Sequence, residues 1–130
     1  VLIVKKHSLP TVRLNGEVGA YIFDGGDHGA AVSAFIVDVP ACLGPHRHRH
    51  PYDELFVITE GTVVLEADGE IFEATPDDVC VVPAGVPHAF HGSPQGRVKM
   101  VNIHAAAKVV TEFVDDPAPA AAEYEYDHKS

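Results

Sequence analysis

Basic charge, cysteine, long apolar runs and helical periodicity are all scarce in this chain, and each shortage excludes something. Nine Lys and Arg stand against 19 Asp and Glu, a formal charge of −10. No basic stripe is long enough to neutralise a phosphate backbone, so nucleic acid is not an expected partner. Two cysteines, Cys42 and Cys80, are too few for a disulfide framework, and with no secretory context both are expected to be reduced. The longest apolar stretch, residues 29–37 with Ser33 inside it, falls far short of the ~20 residues that span a bilayer. At the N-terminus Val1-Leu2-Ile3-Val4 precede Lys5-Lys6, the reverse of the order in a signal peptide, which makes a soluble cytoplasmic protein the expectation. No segment longer than about two turns carries a 3.6-residue apolar period, and no internal repeat is visible.

What remains is a β rhythm. At 130 residues and 46% hydrophobic composition the chain can build one core. Short runs rich in Val, Ile and Phe, divided by Gly, Pro, Asn and Asp, predict strands over residues 2–6, 11–14, 20–23, 32–39, 55–59, 62–67, 70–73, 79–82, 88–91 and 97–104. Strands so closely spaced imply a sandwich or barrel. Glu60-Gly61, Asp68-Gly69 and Pro94-Gln95-Gly96 each offer a glycine where a tight reversal needs positive φ, Asp68-Gly69 most clearly. Residues 108–114 read as a strand or a short helix. Residues 1–114 are expected to form one domain. Residues 115–130, acidic and Ala/Pro-bearing, are expected to be a tail that is mobile or packed on a neighbour.

Histidine supplies the candidate chemistry. His48 and His50 are two apart, so an extended strand presents both on one face, and Glu54 keeps their parity; one strand is expected to carry all three donors. A second apolar run, 78–85, ends in a turn, and His88 opens the strand that follows. Together these give three imidazoles and a carboxylate. A His-x-His pair alone is ordinarily solvent-exposed histidine, and it is the addition of Glu54, Gly61, Pro83, Gly85 and His88 that makes a metal site the better reading. Such donors suit iron, manganese, nickel, copper or zinc, and ligand type does not choose among them. Four protein donors would leave positions open for small molecules.

The neighbours divide by parity. His46 shares the parity of His48 and His50 but belongs to the approaching loop, and His91 should point away from His88. His104, alternating with Met100 and Asn102, is a candidate hydrogen-bond partner or proton-transfer group behind the ligands. Arg47 and Arg49 should face the other side of the sheet. Phe56, Ile58, Phe90 and Met100 are candidates for cavity lining, with core packing as the plainer alternative. Tyr52 is as readily a surface residue as a site residue. His7, His28 and His128 have no company. Leu55, Val57 and Val81 give the opposite face an apolar character that calls for a dimer contact or a covering strand.

The spacing His48-x-His50-x3-Glu54-x6-Gly61, followed by Pro83-x-Gly85-x2-His88, resembles the two motifs of the cupins, specifically the small single-domain microbial members. The segment His48-Arg49-His50-Pro51-Tyr52-Asp53-Glu54 is similar to a subgroup with a His-x-His-Pro-Tyr-x-Glu core. Three support positions depart from the family pattern: the upstream glycine nearest His48 is Gly44, closer than the motif wants; Asp77 takes the second motif's glycine; and Gly92 takes its asparagine. None removes a ligand. The resemblance implies an all-β double-stranded β-helix, a jelly-roll barrel, with motif regions at 44–61 and 77–92. It also implies one divalent metal on His48, His50, Glu54 and His88, and a homodimer. The implied activity is that of a metal-dependent, quercetinase-like dioxygenase on a small oxygenated molecule. A redox-neutral isomerase or lyase on a sugar-like substrate, or a non-catalytic metal or small-molecule binding module, stand as alternatives.

Overall fold

In the computed structural model, which describes residues 1–114 and the backbone of a strand at 124–127, two antiparallel sheets face each other. The strands are β1 (Thr11–Leu14), β2 (Glu17–Phe23), β3 (Ser33–Val39), β4 (His48–Arg49), β5 (Glu54–Glu60), β6 (Val63–Ala67), β7 (Glu70–Ala74), β8 (Val79–Val82), β9 (His88–Gly92), β10 (Val98–His104), β11 (Glu112–Phe113) and β12 (Tyr124–Asp127). The larger sheet runs β12-β1-β2-β3-β10-β5-β8 and the smaller β11-β4-β9-β6-β7. Apart from the consecutive runs β1-β2-β3 and β6-β7, sheet neighbours are distant in sequence because the chain passes back and forth between the layers, as in a double-stranded β-helix. Among the described residues the only helical elements are two 3-10 turns, Lys6–Ser8 and Gly25–His28, and no helix is long and apolar enough to cross a membrane.

Period-two alternation sets the facing of each strand. On β3 every second residue from Ser33 to Val39 is buried, and on β10 the buried set is Val98, Met100, Asn102 and His104. The two strands pair Met100 with Val37, Asn102 with Phe35 and His104 with Ser33. The inward face therefore grades from apolar at one end of the barrel to polar at the other. At the apolar end Phe56, Ile58, Val63, Val98 and Met100 are at most 3% exposed, and each such side chain contributes about 1.5–3 kcal/mol by leaving water. The polar end carries the candidate site.

Turn chemistry places most reversals where expected. Asp68 (φ 52°) and Gly69 (φ 79°) close the β6–β7 hairpin in the left-handed region that such two-residue turns require, and Gly61 (φ 79°) also takes positive φ. Asn15 (φ 50°) and Gly16 (φ 82°) turn β1 into β2 in the same way, a signal passed over in the sequence. Gly96 is not left-handed; that turn closes by Gly96 N–H donating to the Ser93 carbonyl at 3.3 Å.

Two expectations need correction. Residues 2–6 are not a strand, and Leu2 and Ile3 are 64% and 78% exposed. An apolar run needs an edge to pair with, and the free edge of β1 is taken by β12. Residues 108–114 form neither a full strand nor a helix. Only Glu112–Phe113 pair, with β4, and the rest is an irregular strap held by Val109 N–H to Asp24 Oδ1 (2.7 Å) and Val114 N–H to the Arg47 carbonyl (3.1 Å). Within the expected tail, Tyr124–Asp127 run antiparallel to β1; the remainder of that expectation, 115–123 and 128–130, lies outside the described residues. Cys42 and Cys80 are unpaired with each other, as expected.

Candidate metal centre

His48, His50 and Glu54 do not share a strand. His48 lies on β4 in the smaller sheet and Glu54 on β5 in the larger, and the chain crosses between layers through Pro51-Tyr52-Asp53. Pro51, with fixed φ and no N–H to give to a ladder, stops the strand there. The crossing is tied down by Gly85 N–H donating to the His50 carbonyl at 2.8 Å and by Ala84 N–H donating to Asp53 Oδ1 at 3.0 Å. The second-motif turn thus holds the first-motif bend. The donors converge across the gap between sheets: His48 sits opposite His88 in the β4–β9 pairing, and Glu54 sits opposite His104 in the β5–β10 pairing.

One ligating atom from each of His48, His50, Glu54 and His88 falls within 4.8 Å of the others, and the four residues are 6%, 4%, 2% and 0% exposed. Backbone carbonyls decide which nitrogens face the centre. Nδ1 of His48 lies 2.7 Å from the His46 carbonyl, Nδ1 of His50 2.8 Å from the Val110 carbonyl, and Nδ1 of His88 2.9 Å from the Val86 carbonyl. A carbonyl only accepts, so each Nδ1 carries the proton and donates it. In the neutral ring Nε2 is then a bare lone pair. Nε2 of His50 lies 3.2 Å and Nε2 of His88 3.0 Å from the same Glu54 Oε1, and His50 Nε2 has no hydrogen-bond partner. Acceptors turned on one another in a buried space repel unless a cation lies between them. The residues present therefore fit a divalent metal, with the Nδ1 bonds fixing ring orientation as ligand histidines require.

Electrostatics agree. The His48 imidazole is pulled down to about 3, first by burial and then by His88 and His50 beside it, so it stays neutral and able to ligate. Burial pushes the Glu54 carboxyl up, but hydrogen bonding, first of all from His104, outweighs burial and holds it well below the usual carboxylate range. It is a carboxylate, the one negative charge in the cluster.

His104 stands directly behind it. Its Nε2 is 3.1 Å from Glu54 Oε2, its Nδ1 is 2.6 Å from the Tyr52 hydroxyl, and its ring stacks on Phe35 at 4.9 Å. Tyr52 accepts from Val110 N–H at 3.1 Å and stacks on His50 at 5.3 Å. The hydroxyl proton goes to the 2.6 Å contact with His104 rather than to the Val110 carbonyl at 3.4 Å. In that tautomer His104 carries a proton on Nε2 and donates it to Glu54.

The other candidates fall as follows. Phe90 lines the cavity beside the centre, with Val12, Leu14 and Phe35 among its apolar walls. Phe56, Ile58 and Met100 do not line it; they share the inward parity but lie in the packed core. His46 gives its carbonyl, not its ring, and His91 faces outward, half-buried. Arg47 and Arg49 pair with Glu66 (2.7 Å) and Glu112 (2.6 Å) away from the ligands. The strap supplies contacts with no sequence signal: the Val110 carbonyl on His50, and Thr111 at the cavity wall. The first motif's glycine position, six residues before His48, falls on Cys42, which keeps a left-handed φ of 65°.

Comparisons with known proteins show the family and the fold. The family profile described as a cupin domain matches residues 35–104. The polyketide synthase CurC of Streptomyces cyaneus is 33% identical over 79 residues, covering 58% of this chain and 51% of that protein. The 5-nitrosalicylic acid 1,2-dioxygenase of a Bradyrhizobium species is 37% identical over 60 residues, covering 46% of this chain and 29% of that protein. The matches thus span about half of the first relative and under a third of the second. Among solved structures, a cupin protein from Bacteroides fragilis superposes with a TM-score of 0.61 at 17% identity, covering 74% of this chain and 83% of that one. Bacillus subtilis oxalate decarboxylase, studied for its Mn(II) centres, gives 0.66 at 18%, covering 78% and 30%. With two facing antiparallel sheets, and a family match over more than half its length, the chain belongs to the cupin family.

Proposed function

We propose that this cupin is a mononuclear metalloenzyme, dioxygenase-like, that acts on a small oxygenated organic molecule, with His48, His50, Glu54 and His88 as the metal ligands. The observation that carries the reading is the convergence of three imidazoles and one carboxylate, their ligating atoms within 4.8 Å, buried, at the wall of a cavity. When bound, a divalent metal, whether iron, manganese, nickel, copper or zinc, would polarise an oxygen ligand and hold a chelating substrate in its open positions. The chain's part is to fix the rings through Nδ1, to keep the apolar cavity walls dry, and to hold a proton at His104 Nε2 beside Glu54. The relative named as a dioxygenase supports the oxygen-dependent reading.

The size of the cavity favours a second reading. At about 30 Å3 it is an order of magnitude below the ~300–1,000 Å3 of pockets for drug-sized ligands. A flavonol does not fit, and the smaller substrate of a redox-neutral isomerase or lyase would need less widening of the cavity. Exposed Val79 and Val81 on β8, 64% and 62% accessible, support a homodimer contact.

Metal analysis of the purified protein beside the His48→Ala, His50→Ala double variant tests the site. Stoichiometric metal in the parent and its loss in the variant are expected; undiminished metal in the variant would sink the ligand assignment. Oxygen uptake with each metal across small enols, diketones and hydroxy acids then separates the two chemistries, since no uptake with any pairing removes the dioxygenase.

A further inference from the structure

Among the described residues three buried side-chain atoms have no hydrogen-bond partner: Thr11 Oγ1, His50 Nε2 and Asn102 Oδ1. His50 Nε2 belongs to the candidate ligand set, and Thr11 does not line the cavity. Asn102 does line it. It is 2% exposed, and it follows the inward parity of β10 two residues before His104, a displacement of ~7 Å deeper into the barrel. Its cross-strand neighbours are Phe35 on β3 and Phe56 on β5, and neither side chain can donate to Oδ1. A buried amide left unpaired costs free energy that an apolar residue of similar shape would avoid. An unpaired amide oxygen beside a candidate metal site is therefore explained by a ligand that donates to it.

We propose that Asn102 is the specificity-determining residue of this cavity, its Oδ1 accepting a hydrogen bond from a hydroxyl of the substrate while the substrate's acid group occupies the metal centre. This rests on the metal reading above. The cavity of about 30 Å3 as it stands holds little more than water, so the ligand is short and widens the cavity as it enters, and the displacement along β10 separates its two polar ends. The class is a short-chain hydroxy acid with its hydroxyl on the third or fourth carbon, the intervening carbons lying between Phe35, Phe90 and Val37. Asn102 accepts and Glu54 is held by His104, so the two ends are read by different residues.

The test uses Co(II)-loaded protein, whose visible ligand-field band reports binding without turnover. Titrations compare 3-hydroxypropionate with propionate and 4-hydroxybutyrate with butyrate. The parent is expected to bind at least one hydroxy acid about tenfold or more tighter than its deoxy partner, because a site built to pair a hydroxyl rejects the analogue lacking it. In Asn102→Leu, close in shape and unable to accept, the ratio falls to about one while cobalt stoichiometry is retained; Asn102→Ala is the second variant should the first pack poorly. Equal affinities in the parent, as when only water serves Asn102, overturn the assignment, as does a ratio that survives both substitutions. Failure to load cobalt at all overturns the metal reading itself and this inference with it; loading without discrimination overturns Asn102 alone.

Discussion

The Tyr52 hydroxyl lies 2.6 Å from Nδ1 of His104, whose Nε2 lies 3.1 Å from Oε2 of Glu54. A residue in the bend between two sheets thus chooses the tautomer of a histidine on another strand, and that histidine fixes a carboxylate. Tyr52→Phe removes the proton that holds Nδ1 as an acceptor and leaves the stack on His50 in place. Metal affinity, read by competition with a chelating dye, is expected to fall about tenfold, and by up to ~100-fold in His104→Ala, within the range for partners behind metal ligands. Unchanged affinity in both variants would show that Glu54 is held by its own strand alone.

Metal should stabilise the fold. At a free metal concentration a hundred times Kd, binding contributes about 2.7 kcal/mol, which for a domain of this size raises Tm by roughly 10 °C. Calorimetry of the protein before and after chelator treatment measures it. Glu54→Gln is expected to erase most of the difference, and a chelator-dependent shift of full size in that variant would count against the ligand set.

Acid should weaken the metal-free protein. The folded chain holds His48 down at about 3, against an ordinary value of 6.5, so between those values it refuses a proton that the unfolded chain accepts. This contribution to stability is fully present above about 6.5 and is lost as pH falls toward 3. Glu54, also held low, adds in the same direction as pH falls below its ordinary value of 4.5. Urea midpoints at pH 7 and pH 5 should differ, with the lower at pH 5, and His48→Gln should lessen the difference. A flat profile in the parent would contradict the burial of neutral His48.

Two loop positions before His48 should respond oppositely to small changes. Cys42 is exposed and left-handed at φ 65°, where a side chain costs roughly 1–2 kcal/mol. Cys42→Gly removes that strain at a smaller entropic cost and is expected to stabilise by up to about 1 kcal/mol. At Gly44 an added Cβ would stand 1.7 Å from the Phe90 carbonyl oxygen. Gly44→Ala must therefore displace β9, and a destabilisation above about 2 kcal/mol is expected. Denaturant unfolding of both variants checks the pair, and a stable Gly44→Ala protein would refute the close approach.

The ligand residues were legible because motif spacing survives folding, whichever way the chain bends between them. Parity was a poorer guide. It treated His48 to Glu54 as one extended strand, and failed where Pro51-Tyr52-Asp53 carries the chain between sheets. Parity also gives the side a residue faces but not its depth, which is why Phe56, Ile58 and Met100 looked as eligible for the cavity as Phe90. His104 was visible as part of an alternating set with Asn102, whereas the role of Tyr52 depends on a contact 52 residues away along the chain. The Val110 carbonyl that orients His50 is backbone, and no side-chain pattern announces it.

The pairing of His48 with His88 on one sheet and of Glu54 with His104 on the other has a mechanical consequence. An ion held by His48, His88 and Glu54 would cross-link the two layers at their polar end. In a chain whose two cysteines stay apart, that rivet would do the work a disulfide does elsewhere, and it could be removed and replaced without breaking a covalent bond.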